Sequence, residues 1–326
     1  MPIPETYRPI LAAIEQGDFE QAVQLVTEAR ETTPNDPRLD LLAGEISLLS
    51  EDYAQAAEYY RTASRAMPTE AAVWGGLCEA SWAMGDYVEA FEAGQQGLEN
   101  GELTPRQINC LGIAMAMLGE RAGGAALLEA HTQAYPTEAD PWQGLGAMAL
   151  LSGDTARAES LFTHALELDP DLYEAHTGLG QIAMSRGEFT QASERFISAL
   201  RLKPNYLPAR EGLIESLWQL RDYQECLDVA DQLLETQPYN RTANFRRGLA
   251  LFGLGRDQEG EEQLSWQMAE DPTFVDAAVW LGGYLESVGR KEEALLRYQQ
   301  GLDQCPDYRD ETKALLEKRI EQLDGD

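Results

Sequence analysis

The 34 residues Ala139–Leu172 read ADPWQGLGAMALLSGDTARAESLFTHALELDPDL, and they decide the fold. Within them Gly153 stands midway, Ala158, Phe162 and Ala165 follow at helical spacing, and Pro170 closes the stretch. Steps of 34 residues from Pro170 land on Pro34, Pro68, Pro136, Pro204, Pro238, Pro272 and Pro306, and fail only at Glu102. A period held in phase along the chain means nine copies of one helix–turn–helix unit, stacked as a solenoid. Each proline ends a unit because it cannot continue the helix before it.

Two further registers keep step. Seventeen residues before each proline slot stand Gly17, Glu51, Gly85, Gly119, Gly153, Gly187, Arg221, Gly255 and Gly289. Glycine there suits a left-handed residue that ends the first helix and turns the chain into the second. Five residues later come Ala22, Ala56, Ala90, Gly124, Ala158, Ala192, Cys226, Gly260 and Ala294. All are small, as two closely crossing antiparallel helices require. Three registers with three separate physical reasons leave little room for chance.

The unit resembles the tetratricopeptide repeat, whose pattern runs W-x2-L-G-x2-Y, then A-x3-F, then P. The fifth unit shows it best, with Trp142, Leu145, Gly146, Ala158, Phe162, Ala165 and Pro170, Ala149 replacing the tyrosine. The sixth follows with Leu179, Gly180, Ala192, Phe196, Ala199 and Pro204. The resemblance implies an all-α, right-handed superhelical solenoid of antiparallel helix pairs. Repeats are expected over 3–36, 37–70, 71–104, 105–138, 139–172, 173–206, 207–240, 241–274 and 275–308, covering residues 1–306. A capping helix and tail are expected over 309–326, with the helix at Thr312–Leu323 placing Ala314, Leu315, Leu316 and Leu323 on an apolar side. At the front, the proline-bearing stretch Met1–Pro9 leads into a short first helix.

The opening residues MPIPETYRPILAAIEQGD carry no basic lead and no apolar run of export-signal length, so a cytoplasmic protein without membrane insertion is expected. Cys78, Cys110, Cys226 and Cys305 are far apart and form no CxxC, which reads as free thiols, with Cys78 and Cys226 at packing slots. The net charge is −31, with only four lysines. Such a surface either recruits a basic partner segment or keeps the protein solvated. It disfavours nucleic acid, whose phosphates call for clustered Lys and Arg.

Chemistry finds no foothold. His131, His164 and His176 make no HExxH and have no cysteine partners, and there is no P-loop or GxSxG. The Gly-Gly and Leu-Gly fragments fall on first helices with no strand before them. No enzyme activity, cofactor or metal is expected.

Binding is the expectation, and the resemblance says where. In the family, first helices line the inner, concave wall. The slot twenty residues before each proline faces it and reads Ile14, Leu48, Trp82, Ala116, Leu150, Met184, Trp218, Phe252 and Glu286. Leu48, Trp82, Leu150, Met184, Trp218 and Phe252 are therefore candidate contacts for an apolar peptide or helix, with Trp82 and Trp218 as anchors. The competing reading packs them against the neighbouring repeat. Acidic residues flank them at Glu45, Glu79, Asp140, Glu174, Glu211, Glu215, Asp276 and Glu286. The carboxylate clamp of co-chaperones is missing, since only Arg106 and Asn109 come near it. The asparagine ladder of sugar-transferase solenoids is missing too, its slots holding Gly76, Gly144, Gly178 and Gly212.

Against the acidic trend stand Arg241, Arg246, Arg247 and Arg256; Arg241, Arg246 and Arg247 could cradle a partner's carboxylate, or the cluster could pair within the repeat with Glu259, Glu261 or Glu262. A weak seam is expected over 94–124, where Gly94, Gly97, Asn100-Gly101, Gly123 and Gly124 cluster and the proline is lost. The function expected is a protein-binding scaffold or adaptor. The alternatives are a dedicated chaperone or assembly factor for a secretion, pilus or envelope machine, and a non-catalytic subunit of an enzyme complex.

Overall fold

The computed structural model describes residues 4–306 and 309–324, and among them helix is the only extended regular structure. Met1–Ile3, the pair Asp307–Tyr308 and the tail pair Gly325–Asp326 lie outside the described residues. After a single 3-10 turn at Glu5–Tyr7, helices alternate along the chain. The first helices are α1 (Arg8–Glu15), α3 (Pro37–Leu49), α5 (Ala71–Ala83), α7 (Pro105–Met117), α9 (Ala139–Leu151), α11 (Tyr173–Ser185), α13 (Leu207–Gln219), α15 (Arg241–Gly253) and α17 (Val275–Ser287). The second helices are α2 (Phe19–Thr32), α4 (Tyr53–Ala66), α6 (Tyr87–Asn100), α8 (Arg121–Ala134), α10 (Thr155–Leu168), α12 (Phe189–Leu202), α14 (Tyr223–Thr236), α16 (Asp257–Glu270) and α18 (Lys291–Asp303). A last helix, α19 (Asp310–Asp324), follows. The chain forms two compact units, Met1–Gly178 and Leu179–Asp326, each a run of helix pairs packed on the next.

The turn inside every pair is built the same way. Seven glycines of the register have φ between 73° and 95°, and the two that are not glycine, Glu51 and Arg221, adopt it at 64° and 63°. The amide after each closes back on the carbonyl five residues earlier, as Asp18 does on Ala13, Asp154 on Ala149 and Arg256 on Leu251, each at 2.9 Å. This wraps the last turn of the first helix and uses carbonyls that would otherwise lack donors. The same residue then caps the second helix. The carboxylates of Asp18, Asp52, Asp86, Asp154 and Asp222 each accept the backbone N–H three residues on.

The small register lies where helices cross. Ala22, Ala56, Ala90, Ala158, Ala192, Cys226 and Ala294 are all fully buried. A Cβ on Gly124 would stand 2.3 Å from the Gly112 carbonyl oxygen, so this backbone approach admits no side chain at all. A further size rule runs between repeats. The ring of Phe162 fills the space over Gly146 of its own repeat and Gly178 of the next, where an added Cβ would meet the ring at 2.7 and 2.4 Å. Phe196 does the same over Gly180 and Gly212, and Tyr60 over Gly44 and Gly76. The Leu-Gly pair is thus half of a ring-into-glycine joint. Of the slots without an asparagine ladder, Gly76, Gly178 and Gly212 are filled by rings, and Gly144 by Asn109 and Leu128.

In the seam, α6 runs unbroken to Asn100, and Thr104 and Gln107 form a reciprocal capping box that starts α7 with Pro105 in its first turn. Its glycines sit at close contacts. A Cβ on Gly94 would meet Leu111 at 2.7 Å, and one on Gly97 would meet Leu103 at 2.6 Å. The cap needs one correction: Leu316 is fully buried, with Ile320 and Leu323 packed beside it, while Leu315 is 41% exposed and Ala314 lies outside with it. A four-residue spacing from Leu316 fixes that face, one helical turn rather than a run of neighbours.

Candidate functional site

In the first unit the first helices α7 and α9 and the start of α11 place one side chain per repeat at 34-residue spacing: Arg106, Asp140 and Glu174. They converge. Arg106 Nη2 lies 2.7 Å from Glu174, Nη1 3.5 Å from Asp140, and Nε 3.6 Å from Glu79 of α5. Nη2 also donates to the Tyr173 hydroxyl at 3.2 Å. The guanidinium rests over Trp82, 5.2 Å from the ring centroid. Burial pushes the carboxyls of Glu79 and Asp140 up, with the nearby Arg106 charge pulling against it. One turn further along, Asn109 donates to Gln143 of the next repeat at 2.7 Å.

Of the predicted contacts here, Leu48, Trp82 and Leu150 are half-buried, and Ala116 is buried. Leu48 and Trp82 pack against the same apolar cluster, and the indole N–H of Trp82 is buried with no acceptor. Cys78, Cys110 and Cys226 are buried free thiols, Cys305 is a half-buried one, and burial pushes the Cys78 and Cys226 thiols up to about 12.

In the second unit the first helices α13, α15 and α17 enclose an open cavity of about 500 Å³. Phe245, Phe274, Val279 and Trp280 supply its apolar walls, and Glu215, Arg246 and Asp276 its charges. Phe245 meets Phe274 edge-on at 5.1 Å. Arg246 lies over Trp218 at 4.4 Å and pairs with Glu215 at 2.5 Å. Phe252 packs at 4.7 Å from Trp280 and 4.3 Å from Tyr284, so this predicted contact forms one aromatic group with the cavity wall. Met184, Trp218 and Phe252 are all half-buried.

The three arginines of α15 are held separately by carboxylates of the chain. Arg241 pairs with Asp271 at 2.5 Å, Arg246 with Glu215, and Arg247 with Asp231 at 2.6 Å, and Arg247 also donates to Gln263 at 2.6 Å. Of the expected internal partners, Glu259 does hold Arg256, while Glu261 holds Arg290 and the three α15 arginines pair with other carboxylates. An acidic ligand at α15 would compete with all three pairs. Sequence reasoning missed Phe245, Phe274, Val279 and Trp280, although Trp280 stands in register with the glycines Gly144, Gly178 and Gly212, and Arg246 does too. Ala230 stands where the two preceding repeats carry Phe162 and Phe196, the rings that fill the slots at Gly178 and Gly212.

Among the described residues no helix is long and apolar enough to cross a membrane, and no group of three acidic, His or Cys side chains is arranged to hold a metal ion.

Two family models described as tetratricopeptide repeat match the chain, one over residues 47–100 and 149–216, the other over 10–71 and 211–265. No curated protein matches the sequence. Among solved structures, the Cut9–Hcn1 hetero-tetramer of the APC/C is similar with TM-score 0.59 and 16% identity, covering 74% of this chain and 48% of that one. The present chain thus spans about half the length of that relative. The human IFIT1 dimer with m7Gppp-AAAA is similar with TM-score 0.59 and 14% identity, covering 92% of this chain and 80% of that one. Human IFIT1 with PPP-AAAA is similar at TM-score 0.58 and 13% identity, with 91% and 82% covered. At these identities the likeness is one of fold.

Proposed function

Since the chain belongs to the tetratricopeptide repeat family, we propose that it is a non-catalytic scaffold that captures a peptide or helix of another protein on its first-helix face. The observation that carries this reading is the cavity between α13, α15 and α17. Its aromatic walls are of the kind that bury an aliphatic or aromatic anchor, the side chains that dominate binding energy at interfaces. Glu215 and Asp276 at its edge favour a basic residue beside that anchor. Trp218 and Phe252 support the cavity from behind, Trp218 through Arg246 and Phe252 through Trp280. Leu48, Trp82, Leu150 and Met184 extend the apolar register along first helices.

The acidic composition, −31 overall, supports a protein partner over sequence-independent nucleic-acid binding. Three buried free thiols fit a reducing cytoplasm. A chaperone or assembly factor with one client, or a subunit of an enzyme complex, would use the same face. Selection of displayed random peptides on the intact protein tests the proposal. The expected result is a consensus with one large apolar anchor flanked by Lys or Arg, and a selection without consensus would count against it.

A further inference from the structure

Two of the carboxylates around Arg106 are poorly served by it. Glu79 and Asp140 stand 3.6 and 3.5 Å from the guanidinium, against the 2.7–2.9 Å usual for a charge-assisted hydrogen bond, and 23% of each side chain remains exposed. Glu174 is 7% exposed and takes the closest approach of Arg106, 2.7 Å from Nη2, but that N–H is not aligned on it and its second oxygen has no donor. A buried carboxylate ordinarily has two or more donors, so an acceptor left bare in such a place is costly. Three carboxylates share one cation, and the site is short of both positive charge and N–H donors.

We propose that this cluster on α5, α7, α9 and α11 is a subsite for an arginine side chain of the partner, its guanidinium bridging Glu79 and Asp140. Once those two are taken over, Arg106 closes fully on Glu174, and each carboxylate gains aligned donors. The cation proposed is an organic one, because among the described residues the acidic side chains are not grouped to hold a metal ion. Arginine suits the place better than lysine. Its planar fork can give N–H groups to two carboxylates at once, and it loses less hydration on entering a half-buried site. An anion is repelled, since Arg106 is already outnumbered. Burial raises the carboxyls of Glu79 and Asp140, and the one nearby cation, Arg106, does not fully offset it. The inference rests on the reading that the first-helix face receives a partner, and it names one side chain that the partner presents.

The test is a titration of the intact protein with N-acetyl-arginine amide, read at the indole N–H signals of its six tryptophans by ¹⁵N NMR, with Trp82 assigned through Trp82→Phe. The Trp82 signal is expected to shift to saturation while that of Trp218 stays in place. N-acetyl-lysine amide should bind several-fold more weakly, and N-acetyl-glutamine amide should leave Trp82 unmoved. In Glu79→Gln/Asp140→Asn the arginine response should disappear, and Glu79→Gln alone should weaken it several-fold. The proposal is overturned by no saturable shift at Trp82, by equal shifts at all six indoles, by an undiminished response in the folded double variant, or by lysine amide binding as well as arginine amide. Because the probe is a single amino-acid amide, failure at Trp82 leaves peptide capture at the α13–α17 cavity standing. A peptide selection without consensus would remove that capture reading without altering the titration.

Discussion

The guanidinium of Arg246 lies over the indole of Trp218, 4.4 Å from its centroid, and is pinned there by Glu215 at 2.5 Å. Two residues that the sequence suggests as separate features, an apolar anchor and a cationic cradle, are therefore one element. Arg246 covers the ring on one side and forms part of the α13–α17 cavity on the other.

Arg246→Ala should uncover Trp218 and leave Glu215 half-buried without its cation. The expected effect is a loss of about 1–2 kcal/mol in stability, the sum of a partly buried cation–π contact and a broken ion pair. Tryptophan emission should shift to longer wavelength, and the shift should vanish when Trp218→Phe is added. An unchanged emission spectrum would mean that the stacking is not maintained in solution.

The left-handed turns offer a stabilising change. Arg221 adopts φ 63° in a register where seven of the nine repeats use glycine. An L-residue pays about 1–2 kcal/mol for this conformation, and glycine gives back part of the gain through its freer unfolded chain. Arg221→Gly is expected to raise stability by roughly 0.5–1 kcal/mol, and Gly153→Ala, at φ 79°, to lower it by a similar or larger amount. Urea denaturation of the two variants checks both signs.

The ring-into-glycine joint predicts a size-specific defect. In Gly178→Ala the new methyl would meet the Phe162 ring at 2.4 Å, and that ring is 1% exposed with nowhere to turn. A loss of about 1–3 kcal/mol is expected. Phe162→Leu in the same chain should recover part of it by vacating the space. No recovery would indicate that backbone strain, rather than the ring, sets the cost.

The acidic cluster predicts how stability runs with pH. Glu79 and Asp140 bind their protons more tightly in the folded protein than in the unfolded chain, because burial raises their pKa against the pull of Arg106. Their protonation stabilises the fold fully below the ordinary carboxylate value of about 4, and that contribution fades as the pH climbs through their raised values. Asp36 runs the other way. The Arg38 hydrogen bond holds it at about 2, so its contribution is lost as the pH falls from about 4 towards that value. Glu79→Gln/Asp140→Asn should therefore be more stable than the parent at pH 8, by about 1 kcal/mol, with the difference shrinking on acidification towards pH 4. A variant less stable at pH 8 would show that Arg106 needs all three carboxylates.

What could be read from the sequence followed from rules that act within one repeat. A left-handed turn, a close crossing and a helix stop each depend on the residue at that position, so Gly153, Ala158 and Pro170 announced them directly. Glu51 and Arg221 were legible only through phase, since neither residue type favours the turn it occupies. The candidate site was less legible because its side chains are positioned by neighbours in other repeats. Arg247 reaches Asp231 of the repeat before it rather than the glutamates that follow. Trp280 and Arg246 lie in the register of Gly76, Gly178 and Gly212, where a ring from the preceding second helix fills the slot, so nothing at the position itself announces a large side chain. The convergence of Arg106, Asp140 and Glu174 was written in their 34-residue spacing, yet only the stacking distance between first helices brings three side chains to one point.

The central claim is that the α13–α17 cavity seats a partner's apolar anchor. The most direct measurement is calorimetric titration of a selected peptide into the parent protein, into Val279→Glu/Trp280→Ala, and into Trp266→Ala as a control on a second helix, where that ring is 39% exposed and stacked at 6.4 Å on Tyr239. A loss of at least about tenfold in affinity, roughly 1.4 kcal/mol, is expected for the cavity variant, with no change for the control. Equal affinity for the parent and a folded cavity variant, or a loss confined to Trp266→Ala, would contradict the account and move the binding surface to the second helices.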